Sequence, residues 1–454
     1  MELKGKRVLV YGAGRSGIGA ADLLARIGSR PVLYDEKADI DVDALRQKLA
    51  EPKSTEIMTG VYPEEMTGTL DALVLSPGVP CDLPVINRIR EAGVPVLGEV
   101  ELAYLQSRGL ILAITGTNGK TTTTSLVGEI MASVNPDTHV VGNIGNAYTG
   151  EALKTSETSV IVAEISSFQL ETIHEFRPHV SAILNITEDH LNRHHTMEEY
   201  IRVKELITCN QTEEDVCVLN HEDPVLREFG EKHCPARVFW FSSAEELEEG
   251  IFLCGGWICL RMNGKTVKLL ETAKLMLPGV HNYENVMAAI AMCISAGVSP
   301  DEAVKAALSF KPVAHRIEFI AEKRGVVWYN DSKGTNPDAA IKGIRAMNRP
   351  TLLIAGGYDK GSSYDEWIEA FDGKVRYLVL IGQTREKIQA AAQRCGLADE
   401  CIILCDDLKE AVQICHDKAN PGDCVLLSPA CASWGQFENY EQRGDLFKEY
   451  VRNL

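Results

Sequence analysis

Short apolar runs, each leading into a turn and then a helical pattern, recur along this chain and set what it can fold into. Residues 7–11 (Arg-Val-Leu-Val-Tyr) read as a buried strand. Gly12-Ala13-Gly14-Arg15-Ser16-Gly17 follows, and a helical pattern runs on through Ala25. A second strand ends at Asp35, and runs at 71–76 and 94–97 complete a first unit, 1–97. Apolar strands that alternate with helices must be joined by crossovers, so they build a parallel sheet with helices on both faces.

The rhythm restarts twice. Strand 110–115 opens a second unit, 98–312, with further strands near 138–142, 158–164 and 180–185. In the helix after 110–115, Leu126, Ile130 and Val134 stand four apart, so that face is expected to pack on the sheet. Short alternating runs in 236–278 read as a small antiparallel insertion. A helix over 281–296 stops at Gly297, and Ser299-Pro300-Asp301-Glu302 caps and starts the next one. Strands at 326–330, 351–355, 375–381, 401–404 and 423–427 form a third unit, 313–454.

Charge excludes some functions. The chain has 46 Lys+Arg against 64 Asp+Glu, a net charge of −18. A general nucleic-acid binder needs a basic stripe, so none is expected here, whereas a small phosphorylated ligand in a local pocket is compatible. The 13 cysteines include no CxxC pair and read as reduced thiols of a cytoplasmic protein. The N-terminus has no secretory apolar core, and no stretch approaches the ~18 apolar residues of a membrane span. A cytoplasmic monomer is the expectation.

Four groups of residues carry chemistry. Gly116-Thr117-Asn118-Gly119-Lys120-Thr121-Thr122 follows an apolar strand and opens a helix, the context of a phosphate loop. Its N–H groups and helix dipole would hold phosphate oxygens, Lys120 would add a charge and Thr121 a metal-binding hydroxyl. The loop departs from the general pattern, with Ile114 where glycine is usual. Glu164 ends a strand beside it, where a carboxylate suits Mg²⁺. The segment 187–195 is dense in polar groups, His190, His194 and His195 among them, without HExxH zinc spacing. Gly12, Gly14, Gly17 and Asp35 match a dinucleotide-binding pattern, which fits NAD or any other pyrophosphate ligand. Late loops present Thr335, Lys333, Lys360 and Ser433, a set suited to a small anionic, dicarboxylic substrate. The expected class is α/β in three domains: N-terminal Rossmann-like, central P-loop ATPase-like with the antiparallel insertion, and C-terminal Rossmann-like.

These motifs together resemble the Mur ligase family of ATP-dependent amide-forming enzymes over essentially the whole chain. The resemblance rests on GAGRSG at 12–17, SPG at 76–78, GTNGKTT at 116–122, EISSFQLE at 164–171, NITEDHLNRH at 185–194, HRIE at 315–318, NDSKGTN at 330–336 and LLSPACASWGQFENYEQRG at 426–444. It implies addition of D-glutamate to UDP-N-acetylmuramoyl-L-alanine through an acyl phosphate, with ATP and two Mg²⁺. Gly14, Arg15 and Ser16 would then hold the pyrophosphate, Asp35, Glu36 and Lys37 the uracil and ribose, and Ser76 and Gly78 would close the pocket. Asn143 would hold the sugar–peptide part, and His190 would lie beside the reacting carboxylate. ATP would lie on 116–122, with Asn282 and Asn285 at adenine, Asp331 at ribose, and Arg316 and Lys333 at the terminal phosphate. Lys204 matches a lysine that the family carbamylates. One Mg²⁺ would be held by Thr121 and Glu164, the other by His190 and modified Lys204. Lys360 and Thr335 would take the α-carboxylate of D-glutamate, and Ser433 with the Tyr440 N–H its γ-carboxylate. His190 is also the candidate general base. A sibling ligase or folylpolyglutamate synthase, an NAD-dependent dehydrogenase built on Gly12–Gly17, and a non-catalytic nucleotide sensor stand as alternatives.

Overall fold

In a computed structural model the described residues are 1–277, 279–311 and 314–454, with the Asn192 side chain left out. Pro278 and the expected boundary at 312–313 lie outside them. The chain divides into two compact units: Met1–Lys274 with Glu284–Phe310, and Leu275–Tyr283 with Lys311–Leu454. The first holds two sheets and the second holds one.

The first sheet contains β1 (Arg7–Tyr11), β2 (Arg30–Asp35), β3 (Glu56–Thr59), β4 (Ala72–Leu75) and β5 (Val96–Gly98). Its order is β3-β2-β1-β4-β5 and every pairing is parallel. The chain winds outward one way from β1 and then returns to its other side, so a crevice opens at the C-terminal ends of β1 and β4. Helix Arg15–Arg26 packs against helices Glu99–Tyr104 and Tyr148–Glu151, and Ala20, Leu24, Leu102 and Tyr148 share one buried core. That core ties the first sheet to the second.

The second sheet has nine strands: β6 (Leu110–Thr115), β7 (Thr138–Gly142), β8 (Val160–Glu164), β9 (Val180–Ile183), β10 (Val216–Asn220), β11 (Arg237–Ser242), β12 (Gly250–Cys254), β13 (Trp257–Met262) and β14 (Lys265–Glu271). In the order β14-β13-β12-β11-β10-β9-β6-β8-β7, only β12–β13 and β13–β14 are antiparallel. The antiparallel run is therefore a meander that extends the central sheet, not a separate layer. In helix Lys120–Val134 Leu126 and Ile130 are buried, but Val134, at the last turn, is exposed. At the start of helix Pro300–Ser309, Ser299 and Glu302 form the expected capping box.

The third sheet runs β15 (Glu318–Lys323), β16 (Val326–Asn330), β20 (Cys424–Leu427), β17 (Thr351–Gly356), β18 (Val375–Ile381), β19 (Ile402–Leu404). It is parallel except for β15 on β16. Because β20 inserts between β16 and β17, the loops that follow these three strands come together at one edge.

Candidate active site

A cleft of about 490 Å³ opens at the C-terminal edge of the first sheet. Gly14, Arg15, Ser16, Asp35, Glu36, Lys37, Ser76, Gly78 and Asn143 all line it, whereas His190 is not among its lining residues. The glycine loop is held from inside. Asp35 Oδ2 accepts from the Ala13 N–H at 2.9 Å and its Oδ1 from the Lys37 N–H at 3.1 Å. Ser76 Oγ donates to Gly12 O at 2.9 Å. A Cβ at Gly17 would overlap Gly12 O and crowd Ser76 Oγ, so that position must be glycine. Arg15 Nη2 reaches out of the first sheet to Gly145 O at 2.9 Å. The cleft also recruits Tyr11, Glu99 and Gln169, which the motifs did not single out. Burial and the neighbouring Glu36 carboxylate raise the Tyr11 hydroxyl above its ordinary range.

The second glycine loop follows β6. Gly116 and Gly119 have φ of 140° and 87°, a region that L side chains enter at a cost. A Cβ at Gly119 would overlap Asn285 Oδ1, which places Asn285 against the loop itself. Asn185 braces the loop: Asn118 N donates to its Oδ1 at 2.9 Å, and its Nδ2 donates to Asn118 O at 3.1 Å. Thr117 Oγ1 donates to Thr187 O at 3.0 Å and lies 3.1 Å from Tyr200 Oη. Lys120 Nζ donates to Gly116 O and Thr117 O, both at 2.8 Å. Lys204 is 1% exposed and lies over the Tyr200 ring at 4.7 Å. Burial, and then the charge of Lys120, hold its amine well below the ordinary lysine range. Thr121 is buried in the first helical turn.

Glu164 pairs in register with Ile114, so its carboxylate stands beside the root of this loop. Its Oε1 accepts from Asn143 Nδ2 at 2.8 Å, and its buried Oε2 has no hydrogen-bond partner among the described residues. Among those residues no three His, Cys, Asp or Glu side chains are grouped to hold a metal. The Thr121 hydroxyl and the Glu164 carboxylate remain as hard oxygen donors fit for Mg²⁺, and the orphaned Oε2 is the atom that would ligate. His190 has φ 56° and stands edge-on to Phe168 at 4.9 Å.

In the other unit the loops after β16, β20 and β17 surround a side chain that the motif reading missed. Arg443 is 0% exposed. Its Nε donates to Ser332 Oγ at 2.9 Å, Nη2 to Ser332 O at 2.8 Å and Nη1 to Cys431 O at 3.2 Å. Burial pulls its guanidinium down to about 10. Two loops are thus fixed by one cation, and Tyr358 N donates to Ala432 O at 2.9 Å to tie in the third. Asp331 Oδ2 accepts from Ser428 Oγ at 2.8 Å, while its buried Oδ1 has no hydrogen-bond partner among the described residues. Burial raises the Asp331 carboxyl to about 6, against the pull of Arg316. Arg316 sits between His315 and Ile317, which have φ of 66° and 44°, strained values for side chains of these kinds.

Lys333 Nζ lies over the Tyr440 ring at 5.3 Å, and exposed Lys360 lies over Trp434 at 5.8 Å. Ser433 is buried and Thr335 half-buried. Tyr440 is the first residue of helix Tyr440–Asn453, where backbone N–H groups point out of the helix. Asn282 is buried in this unit and its N–H donates to Gly279 O at 3.0 Å. Its neighbour His281 is pushed down to about 3 by burial, with Arg316 and Lys342 adding to the effect.

Residues 6–98 match the Mur ligase MurD-like N-terminal domain, 114–293 the Mur ligase middle domain and 315–431 the Mur ligase glutamate ligase domain. The chain is 54% identical over 454 residues to the UDP-N-acetylmuramoylalanine–D-glutamate ligase of Lachnospira eligens, covering 100% of both. It is also 54% identical to the ligase of that name from Lachnoclostridium phytofermentans, covering 100% of this chain and 99% of that one. Among solved structures, UDP-N-acetylmuramate–alanine ligase from Thermotoga maritima aligns over 99% of each chain with a TM-score of 0.62 at 18% identity. The MurF ligase of Thermotoga maritima, solved with ADP, aligns with a TM-score of 0.60 at 17% identity over 100% of this chain and 96% of that one. At such identities the structures speak for the fold.

Proposed function

The chain belongs to the Mur ligase family, and from that premise we propose that it joins the amine of D-glutamate to the carboxylate of UDP-N-acetylmuramoyl-L-alanine, converting ATP to ADP and phosphate. The observation that carries the reading is a pair of phosphate-type loops, Gly12–Gly17 and Gly116–Lys120, each at the C-terminal end of a parallel strand in one compact unit. A carboxylate resists attack by an amine because oxide is a hopeless leaving group. Phosphorylation turns that oxygen into part of a phosphate, and the amine can then displace it.

The roles follow the charges. Gly14, Arg15 and Ser16 would seat the pyrophosphate of the acid's nucleotide carrier, with Asp35, Glu36 and Lys37 at the nucleoside and Ser76, Gly78 and Asn143 around the arm. Residues 116–122 would hold ATP, with Asn282 and Asn285 at the base and Asp331 at the ribose. Lys120, Lys333 and Arg316 would neutralise the transferring phosphoryl group. Bound Mg²⁺ would add to that neutralisation, held by Thr121 and Glu164 at one site and by His190 and carbamylated Lys204 at the other.

Lys204 suits carbamylation because burial and the charge of Lys120 favour the neutral, nucleophilic form of its amine. Its nitrogen would bond to the carbon of CO₂ and lose a proton to solvent, which puts an oxygen anion where an uncharged amine stood. Thr335, Lys360, Ser433 and the Tyr440 N–H would hold the two carboxylates of D-glutamate, and His190 would take the amine proton only while its imidazole is off the metal. The domain limits 1–97, 98–312 and 313–454, action as a monomer and a cytoplasmic location belong to the same proposal. No helix among the described residues is long and apolar enough to cross a membrane.

Supplying UDP-N-acetylmuramoyl-L-alanine, ATP and a panel of amino acids tests the assignment. ADP release with D-glutamate alone is expected. Turnover with L-alanine or a diamino acid in its place would refute it.

A further inference from the structure

Two glutamates stand two residues apart at the start of helix Glu99–Tyr104, and both are buried. The Glu101 carboxylate is saturated. Its Oε2 accepts from His174 N at 2.8 Å and Phe176 N at 3.1 Å, and its Oε1 from Glu175 N at 2.8 Å. Glu99, at 3% exposure, has one donor, Gln169 Nε2, at 2.7 Å from Oε1. Its Oε2 is buried and has no hydrogen-bond partner among the described residues. Such an atom bears its full desolvation penalty.

Its place in the cleft suggests what the atom is kept for. Asp35 ends β2 and Glu36–Lys37 follow it, Gly12–Ser16 follow β1, Ser76–Val79 follow β4 and Glu99 follows β5, and these strands lie side by side in the order β2-β1-β4-β5. Glu99 therefore stands at the end of the cleft opposite Asp35, together with Gln169. With the nucleoside at 35–37 and the pyrophosphate at 14–16, the part of the ligand that reaches Glu99 is the acylated sugar and its peptide arm, whose polar groups include amides. This step rests on the ligase reading above.

The chemistry of the carboxyl decides the kind of contact. Burial favours its neutral form, and only Gln169 opposes that. In that form, with Oε1 already facing an N–H, the acid proton sits on Oε2 and makes that oxygen a donor aimed at no acceptor among the described residues. We propose that Glu99 is a specificity-determining residue of the cleft, its Oε2 donating a hydrogen bond to an amide carbonyl on the sugar–peptide arm of the nucleotide-linked acid.

The test is calorimetric binding of UDP, UDP-N-acetylglucosamine and UDP-N-acetylmuramoyl-L-alanine to the full-length enzyme, to Glu99→Gln and to Glu99→Ala. Glu99→Ala is expected to lose about tenfold in affinity for the complete ligand and to bind UDP, which has no arm, as wild type does. Glu99→Gln keeps a donor in place of Oε2–H and an acceptor for Gln169, so it is expected to recover most of that loss. A loss already present with UDP-N-acetylglucosamine supports the proposal with the sugar's acyl carbonyl as the acceptor; a loss confined to the complete ligand supports it with the alanyl arm. Equal losses for UDP and the complete ligand would show that Glu99 only supports the fold. That result, an unchanged Glu99→Ala, or a Glu99→Gln as weak as Glu99→Ala would each overturn the proposal. Failure of the wild type to bind any of the three would overturn the ligase reading, and this proposal with it.

Discussion

Lys120 Nζ and Lys204 Nζ both donate to one carbonyl oxygen, that of Gly116, each at 2.8 Å. Two ammonium groups on one carbonyl repel, and the buried one yields: Lys204 is held well below the lysine range while Lys120 stays on the phosphate loop. The neutral form of that amine, which burial favours, adds no charge beside a phosphate loop, and conversion to a carbamate would add one. Lys204→Ala is expected to lower turnover on the order of 10²-fold or more, measured as ADP release. Short carboxylates added to the variant are expected to restore part of it. Full activity without them would exclude an anionic role at this position.

Gly119 combines a φ of 87° with contact to Asn285. Gly119→Ala is expected to cost about 1–2 kcal/mol in backbone strain alone. The overlap with Asn285 Oδ1 should also displace the loop and lower ATP turnover on the order of 10²-fold. Thermal unfolding and ADP release measure the two effects. An alanine variant with wild-type values in both would mean that the loop is not held as described.

Lys360 is exposed and lies over the Trp434 ring. Under the proposed roles its ammonium meets a carboxylate of the amino acid only when that substrate arrives. Lys360→Ala is expected to raise the KM for D-glutamate about tenfold or more and to leave the KM for ATP as it is. Initial-rate kinetics with each substrate varied in turn decide it, and a defect confined to ATP would contradict the assignment.

Asp331 gives a pH signature. Burial raises its carboxyl from 3.8 to about 6. Between those values the folded chain keeps a proton that the unfolded chain has released. Its contribution to stability is therefore fully present below about pH 4, falls as pH rises towards 6 and is level above that, a loss of about 3 kcal/mol. Asp331→Asn cannot ionise, yet still offers Ser428 an acceptor. Urea unfolding of the variant is expected to show a flatter dependence between pH 4 and 6 than wild type, together with weaker use of ATP. An unaltered slope would place the titration elsewhere.

Much of the architecture was legible because long parallel sheets write themselves as apolar runs. The runs at 7–11, 110–115, 326–330 and 375–381 became β1, β6, β16 and β18. Three strands escaped. Val216–Asn220 is a short run between charged turns, Glu56–Thr59 is a half-exposed edge strand, and Glu318–Lys323 mixes polar and apolar positions because it lies antiparallel at an edge. The cleft residues announced by glycine loops were brought together, since a tight turn leaves a signature at adjacent positions. Arg443, Glu99 and Asn185 were not singled out. Arg443 reads as an ordinary helical arginine, Glu99 as an acid favouring a helix start, and Asn185 as the end of a strand. Their roles come from long-range partners, Ser332, Gln169 and Asn118, which spacing does not encode.

The central claim is that ATP activates the acid carried by the nucleotide. Substrate labelled with ¹⁸O in both carboxylate oxygens tests it: after one turnover with D-glutamate, mass spectrometry of the released phosphate should find one ¹⁸O, carried over when the amine displaces the phosphorylated oxygen. Phosphate free of ¹⁸O, with amide product formed, would contradict the account.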